Sequence, residues 1–145
     1  MEPPAMTARE DFFKEQKENL IKAIAHLEYS YKKITLLPTD PKELNEETLE
    51  TWESFSARFS RVADIFLTKY IRSFVLLKDP GFKGSFLDFL NQAEKFHLIK
   101  DTETWMGIRE LRNISAHEYT DKDLMGFFNR LKQEAPRLLE IKEIL

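Results

Sequence analysis

The stretch WESFSARFSRVADIFLTKY, residues 52–70, decides the fold class. Its large apolar residues recur at steps of three and four, which is the spacing of one face of an α-helix. They are Trp52, Phe55, Phe59, Val62, Phe66 and Tyr70. A buried stripe of this kind is typical of a helix in a bundle, and it predicts one long helix from about Glu46 to Leu77.

The same spacing continues on both sides of this helix. Residues 7–37 carry their own apolar stripe and end at Pro38 and the Asp40-Pro41 step, which predicts a first long helix and a connection over about 38–45. After the Pro and Gly residues of 79–84, Ser85 and Asp88 form a capping-box pattern. A shorter third helix is therefore expected from Ser85 onward.

Two further helices are expected in the last third of the chain. The fourth begins near Asp101, and Thr120 has the position of an N-cap for a final helix over about 121–144. Pro136 either kinks that final helix or divides it. The sum is an all-α, up-and-down bundle of four or five helices. We expect one domain over residues 1–145, with residues 1–6 as a flexible N-terminus.

The amino-acid composition excludes several kinds of functional site. The 145 residues contain no Cys, which excludes disulfides, thiolate metal sites and a Cys nucleophile. The net charge of −3 does not indicate a general nucleic-acid binder, so any RNA contact needs a local basic patch. The N-terminus lacks the pattern of a signal peptide, and no apolar run approaches the ~20 residues of a membrane span. These features predict a cytoplasmic protein with no membrane association.

The stretch RELRNISAHEY, residues 109–119, brings several chemically capable residues together near one helix end: Arg109, Arg112, Asn113, His117 and Tyr119. If the helix continues through it, Arg109, Asn113 and His117 share one face, and Arg112 lies about 100° around the axis. One interpretation is a polar helix end, because cations near a helix C-terminus oppose its dipole. The other is a site for phosphodiester chemistry without a metal ion, since His transfers protons near neutrality and Arg matches phosphate.

The residues from Arg112 to Tyr119 have the form Arg-x4-His-x-Tyr, with Asn113 directly after the arginine. This form resembles the motif of the HEPN superfamily, in the version found in HepT toxins. The predicted order is also similar to that family: two long helices, the motif near the end of a later helix, and one final helix. The likeness in order extends over nearly the whole chain, whereas the specific residues number about a dozen.

The resemblance implies a HEPN-like bundle that forms a symmetric homodimer, with both motifs facing one cleft. It implies a metal-independent endoribonuclease without a cofactor, acting as the toxin of a type VII-like toxin–antitoxin pair. By this resemblance Arg112 and His117 are the catalytic pair and Asn113 orients them. Tyr119 is the residue to which a partner minimal nucleotidyltransferase, the antitoxin, adds AMP. The added charge and bulk would exclude RNA from the cleft.

Basic residues near the motif are candidates for RNA contacts. They are Arg58, Arg61, Arg72 and Arg109, which we consider either as a track for phosphates or as a solvated basic face. Asp64 lies on the second long helix, where some HEPN proteins carry an auxiliary acidic residue, and it is a candidate for that role. His26 and His97 are isolated in the sequence and are interpreted as structural.

Two alternatives to the ribonuclease remain at the level of sequence. In one, the chain is a non-catalytic substrate-binding subunit of a two-component nucleotidyltransferase. It cannot be the transferase itself, because it lacks the carboxylates of that active site in a Gly-Ser context. In the other, it is a purely structural helical dimer whose polar stretch is a solvated helix end.

Overall fold

The computed structural model describes residues 7–114 and 120–145, and within them the backbone is helical with no strand. The α-helices are α1 (Ala8–Ile34), α2 (Glu46–Asp64), α3 (Ile71–Lys78), α4 (Phe86–Lys95), α5 (Thr102–Asn113) and α6 (Asp121–Leu139). The prediction of an all-α bundle is confirmed for these residues. Residues 1–6, for which flexibility was expected, lie outside the described part of the chain.

A π-helical segment, Ile65–Tyr70, joins α2 to α3 without interruption. The three pieces form one rod over residues 46–78, which agrees with the long second helix that the sequence predicts. The rod packs against α1 along most of its length and also contacts α5 and α6. It is therefore the central element of the bundle.

Local hydrogen bonds fix where the helices begin. The hydroxyl of Ser85 accepts from the N–H of Asp88 at 3.2 Å, and the carboxylate of Asp88 accepts from the N–H of Ser85 at 2.8 Å. The hydroxyl of Thr120 accepts from the N–H of Asp123 at 3.3 Å. Both N-caps that the sequence predicts are thus confirmed, and each satisfies amides that a helix leaves unpaired.

The aromatic stripe of residues 52–70 is buried along its whole length. Trp52 is fully buried and stacks on Phe128 of α6, with ring centroids 4.5 Å apart and planes within 12°. Phe66 packs against Trp105 of α5 at 4.7 Å, and Tyr70 against Phe13 of α1 at 5.0 Å. One face of the rod therefore joins the first, fifth and sixth helices in a single core.

Three features of the helices were either unexpected or left open by the sequence. Helix α1 ends at Ile34, before Pro38, and the following connection contains a short 3-10 helix at Pro41–Glu43. Helix α6 continues through Pro136 to Leu139 and passes into a 3-10 helix at Glu140–Ile144, so the alternative of a break at Pro136 is wrong. The π-helical segment has no counterpart in the sequence prediction.

Candidate functional site

Helix α5 ends with Arg112 and Asn113, the first two residues of the motif, and carries Arg109 one turn before them. The helix ends at Asn113, because Ile114 has an extended backbone with φ −69° and ψ 125°. The expected stacking of Asn113 on His117 assumed a helix that continues beyond Asn113, and it falls on a residue outside the described part of the chain. His117 and Tyr119, to which catalysis and modification were assigned, lie outside the described residues.

The side chain of Arg112 reaches across to the rod and binds Asp64 with two parallel hydrogen bonds. Nη2 of Arg112 donates to Oδ2 of Asp64 at 2.8 Å, and Nε donates to Oδ1. The two residues are 48 positions apart in the chain, and their side chains are 38% and 42% exposed. The structure thus places the candidate auxiliary acid directly against the arginine of the motif, at the protein surface.

This contact has an electrostatic consequence for Arg112. Hydrogen bonding to Asp64 raises the pKa of Arg112 above its ordinary value, and this outweighs the partial burial that acts in the opposite direction. The guanidinium is thus a permanent cation with a fixed orientation. A planar cation held in this way suits the recognition of phosphate oxygens.

The π-helical segment begins directly after Asp64. In a π-helix the backbone bond reaches one residue further than in an α-helix, as in the bond from the N–H of Ile71 to the carbonyl of Phe66. Two hydroxyl groups donate hydrogen bonds to backbone carbonyls of this region. Thr68 Oγ1 donates to the carbonyl of Asp64 at 2.6 Å, and Ser73 Oγ donates to the carbonyl of Lys69 at 2.7 Å. Such segments occur often at functional sites, and this one adjoins the ion pair.

The four candidate RNA-binding arginines lie in two separate places. The guanidinium of Arg109 lies over the ring of Phe86 at 3.9 Å, and that of Arg72 over the ring of Phe89 at 4.8 Å. Both rings belong to α4. The structure therefore brings these two arginines alongside the same helix.

The other two arginines lie beside α1. Nη1 of Arg58 donates to the carbonyl of His26 at 3.1 Å and to the hydroxyl of Ser30 at 2.7 Å. Arg61 lines a groove between α1 and the rod. The four arginines thus do not form the single continuous track considered from the sequence, and contact of any of them with RNA stays a prediction.

Sequence reasoning did not identify the other basic side chains of that groove as candidates for RNA contacts. Lys22 and His26 come from α1 and Lys69 from the π-helical segment, and all three line the groove with Arg61. Their spacing along each helix was visible, but which face of α1 meets which face of the rod was not. His26 was interpreted as an isolated structural residue, whereas its side chain is exposed in this groove.

Two kinds of feature are absent from the described ranges. Across residues 7–114 and 120–145, no three His, Asp or Glu side chains are grouped so that they could share a metal ion. In the same ranges, no helix combines the length and the apolar character needed to cross a membrane.

Among curated proteins, the chain is similar to a protein named "Probable ribonuclease HepT" from Haemophilus influenzae. The two are 36% identical over 53 residues, which cover 37% of this chain and 36% of that protein. The matched segment thus spans about a third of the length of each. No protein-family model matches the chain, and no solved structure matches it. The curated match confirms the resemblance to HepT-like proteins that the motif indicated.

Proposed function

We propose that this chain is a HepT-like, metal-independent endoribonuclease whose site contains Arg112, Asp64 and His117. The observation that carries the proposal is the bidentate contact between Arg112 and Asp64, which holds the arginine of the motif in one orientation at the surface. The similarity to a protein named as a probable ribonuclease supports the same chemistry. The proposal includes RNA as the substrate, control by AMP addition, and the partner nucleotidyltransferase.

The reaction we propose is attack of a ribose 2'-oxygen on the adjacent phosphorus. The bond from the 2'-oxygen to phosphorus forms and the bond from phosphorus to the 5'-oxygen breaks. The proton of the 2'-hydroxyl leaves to a base, and a proton is delivered to the departing 5'-oxygen. The protein then needs only to move protons and to stabilise the negative charge of the pentavalent phosphate.

Each residue of the site has a role in this reaction. His117 transfers protons, because imidazole titrates near neutrality. Asp64 uses two of the five N–H donors of Arg112, so the other three can bond phosphate oxygens when RNA binds. Asn113, one residue after Arg112, orients the pair. Since the charge on phosphate grows in the transition state, a fixed cation stabilises that state more than the bound substrate.

The same proposal includes assembly and control. Two copies form a symmetric dimer in which the motif of each faces a shared cleft, as in the proteins that the motif resembles. The chain acts as the toxin of a type VII-like pair, and a minimal nucleotidyltransferase antitoxin adds AMP to Tyr119. The nucleotide places negative charge beside Arg112 and excludes the RNA backbone.

The test is expression of the chain alone, comparing the wild type with His117→Ala and with a control in which His97, outside the site, becomes Gly. We expect growth arrest and RNA cleavage for the wild type and for His97→Gly, and neither for His117→Ala. The purified wild type should cut RNA in the presence of EDTA and leave a 2',3'-cyclic phosphate.

Two outcomes would overturn the proposal. Cleavage that survives His117→Ala at the wild-type rate would remove His117 from the chemistry. Absence of cleavage by folded wild-type protein, together with binding to a nucleotidyltransferase, would instead support the alternative of a non-catalytic substrate-binding subunit.

A further inference from the structure

The surface between α1 and the rod carries a row of basic side chains on both of its walls, with Lys22, Arg61 and Lys69 as its cations. Lys22 and His26 lie on the α1 side, and Arg61 and Lys69 on the side of the rod. All four side chains are exposed. We call this surface the α1–α2 groove. Cations on opposite walls of one groove repel each other, so the groove favours a ligand with several negative charges.

The row continues along the same two helices. The guanidinium of Arg58 donates to the backbone carbonyl of His26 and to the hydroxyl of Ser30, which places it next to the first four side chains of the row. Next to it lies the ring of Tyr29, with Nζ of Lys33 at 4.8 Å and Cζ of Arg58 at 5.8 Å from its centroid. From Lys22 to Lys33 the row extends about 16 Å along α1.

Tyr29 is an exposed aromatic residue within this row. Its side chain is 60% exposed, although a buried position would be the usual place for a ring of this size. Exposed aromatic rings interleaved with cations are the arrangement by which proteins hold single-stranded nucleic acid, because bases stack on the rings while cations contact phosphates. The acids Glu47 and Glu50 line the same depression as Tyr29, Lys33 and Arg58, and the basic row ends there.

Gln16 adds a feature at the opposite end. It lines the groove with only 4% of its surface exposed, and within the described residues its Oε1 atom has no hydrogen-bond partner. Because this oxygen is shielded from solvent, a ligand in the groove contacts the exposed basic side chains and not Gln16. The exposed ring of Tyr29 favours a nucleic-acid strand over an acidic protein segment, because bases stack on an aromatic ring and carboxylates do not.

We propose that the α1–α2 groove binds the sugar-phosphate backbone of single-stranded RNA, with one base stacked on Tyr29. Arg61 precedes Asp64 by one helical turn, and Lys69 lies within the π-helical segment that begins directly after Asp64. A strand in the groove therefore lies beside the helical turn that carries Asp64 and its partner Arg112. Its role in feeding RNA to that site rests on the proposed function, but the binding itself does not.

The first experiment measures binding of a fluorescent 2'-O-methyl oligouridine, which cannot be cleaved because its 2'-oxygen is blocked. The groove variant is Lys22→Gln, Arg61→Gln and Lys69→Gln together. The control is Lys42→Gln, Lys83→Gln and Lys95→Gln, which removes the same charge from exposed positions outside the groove. Thermal unfolding and circular dichroism compare the folding of all three proteins.

We expect the control to bind like the wild type and the groove variant to bind at least tenfold more weakly at low salt. The slope of log K against log salt concentration should fall by about 2, since each lost phosphate contact on a single strand contributes about 0.7. Equal affinity of groove variant and control would overturn the proposal, as would a wild type that binds no oligonucleotide. Full competition by a polyglutamate peptide at equal charge would overturn it in favour of an acidic partner.

A second pair of variants tests the stacked base. Tyr29→Leu should weaken binding of the oligouridine about fivefold or more, and Tyr29→Phe should retain wild-type affinity, because stacking needs the ring and not the hydroxyl. Wild-type affinity for Tyr29→Leu would contradict stacking at this position. These binding data remain decisive even where the wild type fails to cleave RNA, so failure of the groove and failure of the ribonuclease are distinguishable.

Discussion

At the residue scale, the contact between Arg112 and Asp64 connects two distant parts of the chain on the surface. Because both side chains are more than a third exposed, solvent screens their attraction and the pair stabilises the fold little. Its main effect is geometric: two parallel hydrogen bonds fix the plane of the guanidinium. A change at Asp64 should therefore affect activity far more than stability.

Asp64→Asn tests this separation. The amide keeps the size of the side chain but loses the charge and one of the two accepting oxygens. We expect RNA cleavage to fall about 100-fold, the size of effect that misplacing a catalytic group produces. The free energy of unfolding should change by less than about 1 kcal/mol. Cleavage rates and urea denaturation of the same preparations measure the two effects.

Glu134→Gln is the matched control, because it breaks the surface ion pair of Glu134 with Arg137, 3.2 Å apart, on another part of the bundle. It should leave both cleavage and stability near wild type. A wild-type cleavage rate for Asp64→Asn would show that Arg112 does not depend on Asp64 for its position.

At the element scale, the periodicity of residues 52–70 was sufficient to predict the central rod, and two local features escaped it. The step from Phe66 to Tyr70 is four residues, which fits the stripe of an α-helix, so the π-helical segment leaves no mark on the pattern. The end of α5 at Asn113 follows from the extended backbone of Ile114, for which no Gly or Pro gives a signal. The position of a π-helical segment and the last residue of a helix such as α5 depend on tertiary packing, which the local sequence does not show.

The candidate site shows the same division between local and tertiary information. The motif residues and Asp64 were identified as separate candidates from their types and positions. Their contact depends on how α5 packs on the rod, where Trp105 meets Phe66. Likewise, the partners of Arg72 and Arg109 are rings of α4, a helix that spacing alone could not place beside them.

The end of α4 gives a prediction about stability. His97 has a positive φ of 63°, and its N–H bonds the carbonyl of Glu94 while the N–H of Leu98 bonds that of Ala93. These are the two bonds of a Schellman motif, in which glycine is the usual residue at the left-handed position. We expect His97→Gly to raise the free energy of unfolding by about 1 kcal/mol, because glycine adopts this conformation without a Cβ clash.

Urea denaturation measures the change, with Gln133→Gly as the reference for glycine in an ordinary helical position. Gln133 is exposed inside α6 and has no such backbone requirement, so its replacement should lower stability by about 1 kcal/mol. Destabilisation by both substitutions would mean that the His97 side chain contributes more than its strained backbone costs.

At the scale of the whole molecule, the core joins segments that are far apart in the chain. Trp52 at the start of the rod stacks on Phe128 of α6, and the indole N–H of Trp52 donates to the carbonyl of Pro38 at 3.0 Å. This arrangement fixes the first connection, the rod and the last helix together. Loss of one ring from the stack should therefore destabilise the bundle as a unit.

Phe128→Ala should lower the free energy of unfolding by about 3–5 kcal/mol, the usual cost of removing a buried phenyl ring. Phe128 is 2% exposed, whereas Phe12 on α1 is 46% exposed, and Phe12→Ala should change stability by no more than about 0.5 kcal/mol. Urea denaturation followed by circular dichroism compares them. Equal losses for the two variants would contradict the placement of the core on the inner face of the rod.

The two indole rings also give this protein a pair of built-in optical reporters. Trp52 is fully enclosed by the bundle, while Trp105, 8% exposed, packs on Phe66 of the π-helical segment that follows Asp64. In Trp52→Phe, the emission at long excitation wavelengths comes from Trp105 alone. The emission maximum and the quenching of Trp105 would then report changes at the nearby surface, such as RNA binding, separately from unfolding of the bundle.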